Sequence, residues 1–392
     1  MSKSLKIALV SPYDFAYPGG VIAHISHLAH QFVGMGHEVK VLAPSSSSKN
    51  DEEEGLNVIP FGRPVPVPSG GSVARLSLSI WLWRRIRSLL QRESFDVVHI
   101  HEPLAPFLPL CILHLSDSIN VGTFHAFHGS ARLYGASKLI LQPSFRKLDG
   151  RIAVSPSAQR FAGKHFPGDY QIIPNGINVD HFAKNVTPIP GLNDGKINIL
   201  YVGRLEKRKG LKYLLAAFSR LKWETPNIRL VVVGPGSLDK DSHRVLSERN
   251  IHDVVFTGGV SNHDLASYYH AADIFCAPAI GKESFGIVLG EAMAAGKPIV
   301  ATNIEGYAGV ITDGREGILV PPKDEIHLAE ALSTLIKDSD LREQLAAAGR
   351  VKVQEFRWDR VAGRVMDYYE TLMGGSSASS QGPDGAGQDL SA

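Results

Sequence analysis

At 392 residues the chain is too long for a single ordinary core and predicts two domains. Its 44% hydrophobic and 20% charged residues exclude a disordered chain, and a net charge of +2 supplies no chain-wide field for nucleic acid. The two cysteines, Cys111 and Cys276, are too few for a disulfide framework and read as buried thiols of a reducing compartment. Met1-Ser2-Lys3-Ser4 leads straight into a strand-like run with no signal-type apolar region, and no apolar span of about 18 residues follows. The expectation is a cytoplasmic protein, held peripherally on the inner face of the membrane if any part of it touches lipid.

Short β-rich runs alternate with helical patterns along the first half. Strands are expected at Lys6–Val10, Glu38–Leu42, Asp96–Ile100, Asn120–Phe124, Gly150–Val154 and Gln171–Ile173, with helices such as Val21–Gly34, Ser77–Gln91 and Ser155–His165 between them. Asn, Pro, Gly and Asp then crowd the stretch Lys184–Lys196 without periodicity, which marks a linker. The alternation restarts with strands at Ile197–Val202, Ile228–Val233, Val254–Thr257, Ile274–Ala277 and Pro298–Thr302. Strands separated by helices build parallel sheets, so the fold class is α/β: two doubly wound, Rossmann-like domains, residues 1–184 and 185–357, facing a cleft. Residues 374–392 are rich in Ser, Gly and Ala and predict a disordered tail.

Ligands of open parallel sheets sit beyond the carboxyl ends of the strands, and the chemistry-bearing residues collect there. In Gly281–Gly296, Glu283 and Glu291 stand eight residues apart across a loop-to-helix junction. Ser284 is the expected N-cap, Gly286 lets backbone approach a ligand, and amides around Phe285 and Ile287 can donate to sugar hydroxyls or phosphate. Arg204 and Lys209 follow the first strand of the second domain and open a helix, so two cations and a helix N-terminus converge where a diphosphate would fit. Gly19 and Gly20 after the first strand, and Gly234 after Ile228–Val233, are turns that admit close backbone approach, although neither completes a dinucleotide or P-loop fingerprint. His125 closes a strand and faces the cleft; His128 follows it. His99 and His101 with Glu102 suggest metal ligands superficially, but no third ligand has suitable spacing, so no metal site is assigned. Ser77–Gln91 carries Trp81, Trp83, Arg84, Arg85 and Arg87, with Arg92 beyond it. That composition suits either an anionic membrane surface or a helix packed on its own sheet with a solvated basic face.

The Glu-x7-Glu element resembles that of the retaining GT-B glycosyltransferases, and further likenesses fall in the expected order: Pro18-Gly-Gly-Val21, Ile173-Pro-Asn-Gly-Ile-Asn-Val-Asp180 and Gly203-Arg-Leu-Glu-Lys-Arg-Lys-Gly210. Gly71-Ser-Val-Ala-Arg75, His99-Ile-His-Glu-Pro103 and Gly150-Arg-Ile-Ala-Val154 resemble the branch that mannosylates phosphatidylinositol. The likeness runs from about Lys6 to Met373. It implies a nucleotide-sugar donor, with Arg204 and Lys209 on the leaving diphosphate and Glu283 with its loop amides on the sugar. Glu291 would hold the ribose, His125 the sugar and acceptor, and Tyr13 and Arg75 an inositol phosphate headgroup. It also implies that residues 358–373 form a helix returning to the first domain. No cofactor is required by this chemistry; Mg2+ could accompany the donor, but no protein ligand set for it is evident. The chain departs from that branch at Leu104, where a polar residue is usual, and at Ala126-Phe127, where hydroxyl residues are usual. Mannose from GDP-mannose onto a lipid or cyclitol acceptor is therefore one reading. UDP-glucose transfer to a soluble acceptor, another enzyme on this fold such as an epimerase or phosphorylase, and a non-catalytic nucleotide-sugar binder are the others.

Overall fold

The computed structural model describes residues 4–17, 19–46, 55–69, 72–77, 82–125, 131–184 and 186–379. In chain order the strands are β1 (Lys6–Val10), β2 (Glu38–Ala43), β3 (Val58–Pro60), β4 (Pro64–Ser69), β5 (Ser72–Ser77), β6 (Val97–His101), β7 (Ile119–Phe124), β8 (Gly150–Ala153), β9 (Gln171–Ile172), β10 (Ile197–Val202), β11 (Ile228–Val233), β12 (Val254–Gly258), β13 (Ile274–Ala277), β14 (Ile299–Thr302) and β15 (Gly317–Val320). The helices are α1 (Gly20–Gly34), α2 (Trp83–Glu93), α3 (Leu108–Leu115), α4 (Ala131–Arg146), α5 (Pro156–His165), α6 (Val179–Ala183), α7 (Leu211–Glu224), α8 (Lys240–Glu248), α9 (Asn262–Ala271), α10 (Ile287–Ala294), α11 (Glu305–Ala308), α12 (Glu325–Lys337), α13 (Ser339–Lys352) and α14 (Trp358–Ser379).

Strands such as Lys6-Ile-Ala-Leu-Val10 and Ile228-Arg-Leu-Val-Val-Val233 are apolar almost throughout because both faces of a parallel sheet are covered. Seven parallel strands run in the order β3-β2-β1-β6-β7-β8-β9, and six in the order β12-β11-β10-β13-β14-β15. Each sheet carries apolar clusters on its two faces. In the first, α1 and α14 contribute Ile25, Phe32, Val365 and Tyr369 to one cluster. Ile86, Leu108 and Phe166 belong to the other. Chain order reverses between β1 and β6 and again between β10 and β13, so the two switch points direct any ligand to the carboxyl ends of those strands.

Several expected elements come out differently. Ser77 closes strand β5, which pairs antiparallel with β4, so the basic helix begins only at Trp83. Strands β3 and β15 are additional. Within the linker, Leu192 is buried in the core of the second domain rather than loose. Helix α14 runs to Ser379, six residues into the expected tail. Cys276 is buried, whereas Cys111 is only half-buried. Trp81, His128, Ala126, Phe127, Pro18 and Gly71 lie outside the described residues.

The chain crosses between the domains twice, and the two crossings meet. The Ile177 amide donates to the Phe356 carbonyl at 2.7 Å, and both Arg357 terminal nitrogens donate to the Asp180 carboxylate at 2.8 Å. Gly176 passes under the Trp358 ring so closely that a Cβ there would lie 2.2 Å from Cδ2. Gly176→Ala therefore forces the ring or the crossing to move. The expected loss is about 2 kcal/mol, read by calorimetry as a melting temperature lower by roughly 4–8 °C. An unchanged melt would show that Trp358 does not seat there.

Candidate active site

On the second domain, the switch point gathers two carboxylates and three cations. After β10 the chain turns through Arg204 and a single 3-10 turn, Lys207–Lys209, into α7. Gly210, the residue before α7, has φ 74°, and a Cβ there would fall 1.9 Å from the Pro278 carbonyl. That contact presses the basic turn against the loop after β13. Lys209 Nζ then lies 2.9 Å from Glu283 Oε1, and Arg208 pairs with the same oxygen. Arg208 Nε also donates to Glu206 at 2.8 Å, and Arg204 reaches Glu206 at 3.1 Å. Three cations thus face two carboxylates and leave one positive charge. Of the three, Arg204 is the most open, with 53% of its side chain exposed. Arg208 is the member that sequence reasoning missed, although it sits inside the basic run already singled out.

The loop that carries Glu283 is held from below by Gly306, where a Cβ would lie 2.1 Å from the Glu283 carbonyl. Ser284 does not cap α10. Gly286 occupies that position with φ 82°, and a Cβ on it would meet the Tyr307 ring at 2.7 Å. The Ser284 carbonyl instead accepts from Ser157 Oγ of the first domain at 3.1 Å. Phe285 is buried against Phe356, and Ile287 opens the helix. Gly234 serves the framework: its Cβ would strike the Gly203 carbonyl at 2.0 Å, so it lets the exits of β10 and β11 touch.

Glu291, one helix turn deeper, accepts from the Tyr269 hydroxyl at 2.7 Å. Burial pushes its carboxyl up to about 7, against the opposing pull of Tyr269 and Lys209. It lines a cavity of about 110 Å³ together with Gly20, His24, Asn175 and Trp358, so residues of both domains meet there. Gly20 begins α1, Gly19 precedes it, and a Cβ on either would meet nothing within 4 Å. This helix start is open rather than packed, as a ligand-facing end requires.

On the first domain, the turn after Tyr13 meets Arg75: the Asp14 amide donates to the Arg75 carbonyl at 3.0 Å, and the Arg75 guanidinium lies over the Tyr17 ring at 4.3 Å. Burial, with Glu102 nearby, pushes the Tyr13 hydroxyl above its usual range. The His125 amide donates to Glu102 Oε1 at 2.8 Å, and its Nε2 lies 2.9 Å from His101 Nδ1. His99 is satisfied by Tyr369 at 2.5 Å and Thr123 at 2.6 Å, which makes it structural. His24, from α1, packs edge-on against both His101 and His125. No spacing in the sequence signals that third partner. Burial holds the imidazoles of His24, His101 and His125 well below the usual histidine range, so all three are neutral.

Helix α2 packs Ile86 and Leu89 inward and exposes Arg84, Arg85 and Arg87. Trp83 is half-buried against His114, at 5.2 Å between ring centres. The face is therefore basic rather than aromatic. Among the described residues, no helix is long and apolar enough to cross a membrane.

Residues 18–181 match the Glycosyltransferase Family 4 family, and residues 184–352 match Glycosyl transferases group 1. The chain is 38% identical over 371 residues to a phosphatidyl-myo-inositol mannosyltransferase of Mycobacterium leprae, covering 94% of this chain and 97% of that one. It is 32% identical to a protein of the same name from Propionibacterium freudenreichii, over 96% and 98% of the two chains. The crystal structure of a glycosyltransferase from Rickettsia africae superposes with a TM-score of 0.78 at 19% identity, over 94% of this chain and 99% of that one, which shows the shared fold. With relatives at 32–38% identity over nearly the whole chain and two parallel-sheet domains that superpose on a solved neighbour, the chain belongs to glycosyltransferase family 4 and has the GT-B fold.

Proposed function

We propose that this glycosyltransferase moves mannose from GDP-mannose onto phosphatidylinositol at an anionic membrane surface, with retention of configuration and no catalytic metal. The observation that carries the reading is the Lys209–Glu283 contact at 2.9 Å, because it brings a leaving-group cation and a sugar-hydroxyl acceptor to one point. Arg204 and Lys209 stabilise the charge that grows on the diphosphate as the glycosidic bond breaks. Glu283, steadied by Arg208, and the amides of its loop hold the hexose, while Glu291 accepts from the ribose. His125, aimed by Glu102 and His101, meets the sugar and the acceptor hydroxyl. Tyr13 and Arg75 receive the headgroup. Two relatives named for phosphatidyl-myo-inositol mannosylation support the donor sugar and acceptor. Retention follows most simply from attack on the face the diphosphate leaves. A double displacement needs a carboxylate at the anomeric carbon, and the cluster already commits Glu283 to two cations.

Arg204→Ala or Lys209→Ala lowers turnover by at least about a hundredfold, as expected for removing a charge that acts on the developing anion. Near-normal mannose transfer in either variant takes the clamp out of the mechanism. Glu291 gives a paired test. Its folded-state value of about 7 lies above the ordinary 4.5, so the folded protein binds the extra proton between those values and loses stability as pH rises through them. Glu291→Gln removes that loss: the variant melts higher than the wild type at pH 8, by up to about 3 kcal/mol, with the gain vanishing near pH 4.5. It also binds GDP at least about tenfold more weakly, as loss of a charged hydrogen-bond acceptor predicts. Equal melts at pH 8 would mean that Glu291 is not desolvated, and equal GDP affinity that it does not touch the nucleotide.

The membrane reading rests on charge. Each exposed arginine near an anionic surface contributes about 1 kcal/mol, so replacing Arg84, Arg85 and Arg87 by serine weakens binding to phosphatidylserine vesicles by roughly a hundredfold. Added salt reproduces the loss. Sedimentation of wild type and variant to the same extent at low salt would leave α2 an ordinary packing helix.

A further inference from the structure

The histidines at the first domain's switch point have a geometry that hydrogen bonding alone does not account for. His24 of α1, His101 at the end of β6 and His125 after β7 are all buried, and one ring nitrogen from each lies within 4.8 Å of the other two. Their ring centres are 5.3, 4.8 and 5.2 Å apart. Three imidazoles around a tetrahedral ion, with metal–nitrogen bonds of about 2.0–2.1 Å, hold their centres roughly 5 Å apart. His101 Nδ1 and His125 Nε2 stand at 2.9 Å, and a few tenths of an ångström of opening reaches the roughly 3.3 Å between ligands of such an ion. His24 Nδ1 is buried with no hydrogen-bond partner among the described residues, where buried polar atoms ordinarily have one. Behind the cluster His99 stacks on His101 at 4.5 Å while its own nitrogens are satisfied, which fixes the His101 ring. His24 also lines the interdomain cavity, which provides an entry path.

We propose that His24, His101 and His125 bind a four-coordinate transition cation of the zinc class, with the fourth position open to the cleft, and that the bound ion inhibits transfer. Neutral imidazole nitrogens are ligands of intermediate softness that suit zinc and its neighbours and do not suit magnesium. Two ligands come from adjacent strand ends and the third from a helix, so the ion would tie α1 to the sheet edge. Inhibition rests on the reading of His125 given above: a ring committed to a metal cannot meet the sugar or the acceptor. Transfer itself uses the cationic cluster of the second domain, so the ion is a brake and not a participant.

The test uses the full chain, stripped with a chelator and titrated with Co2+. One equivalent produces the visible bands of four-coordinate cobalt, and Zn2+ displaces it. His24→Gln and His101→Ala each weaken cobalt binding at least tenfold while circular dichroism and thermal melting show a folded protein. His24→Gln, on the helix, serves alone if His101→Ala does not fold. Absence of the bands, or bands unchanged in the folded variants, overturns the site. Zinc at one equivalent suppresses mannose transfer, and His24→Gln shifts the inhibiting concentration at least tenfold upward. Cobalt bands that depend on His24, accompanied by undiminished transfer at full occupancy, overturn the inhibitory role and the assignment of His125 while leaving the site.

Discussion

One carboxylate sets the form of the second domain's active edge. Arg208 and Lys209 are adjacent in sequence and would repel, yet Glu283 draws both onto a single oxygen from across the switch point. The pair is only 12–15% exposed at Glu283 and Lys209, so water screens it less than an ordinary surface contact. Everything nearby accommodates that meeting. Gly210 admits the Pro278 carbonyl, Gly306 admits the Glu283 carbonyl, and Gly286 turns the chain into α10 over Tyr307. A side chain at any of these positions would separate the carboxylate from its cations. The glycines here are spacing elements, and the ion pair is what they space.

What could be read from the residues follows from the range of the interactions. Buried parallel strands announce themselves as apolar runs, and the glycine-framed loops after them mark where a ligand belongs. Arg204, Lys209, Glu283 and Glu291 were legible for that reason. Arg208 was not, because its partner lies 75 residues away and nothing local distinguishes it from its basic neighbours. The β4–β5 hairpin was hidden by the three prolines of Pro64-Val-Pro-Val-Pro-Ser69, which argue against a strand, and by a helical pattern that continues back through Ser77. The position of Ser284 was misjudged because an N-cap serine and a glycine in the left-handed region serve the same junction, and here the close approach of Tyr307 selects glycine.

The first domain's polar centre is likewise assembled from distant pieces. Tyr369 of α14 holds His99, His99 stacks on His101, and His101 meets His125. Hydrogen bonds and stacked rings thus link the last helix to the cleft without an intervening charge. The histidine wall is thus neutral and desolvated, whereas the opposite wall carries an excess cation.

The return of α14 has a consequence for how the molecule is made. Trp358, Val361, Ala362, Val365, Met366 and Tyr369 belong to the core of the first domain, although they come after the whole of the second in sequence. Residues between the two crossings form a sheet with its own apolar clusters and need nothing from the final helix to close them. A ribosome emits the chain from its amino end, and domains ordinarily fold in that order. Here the half begun first stays open along α1 until α14 emerges, while the half begun second can condense ahead of it. Of the two domains, the first in sequence is the last to close.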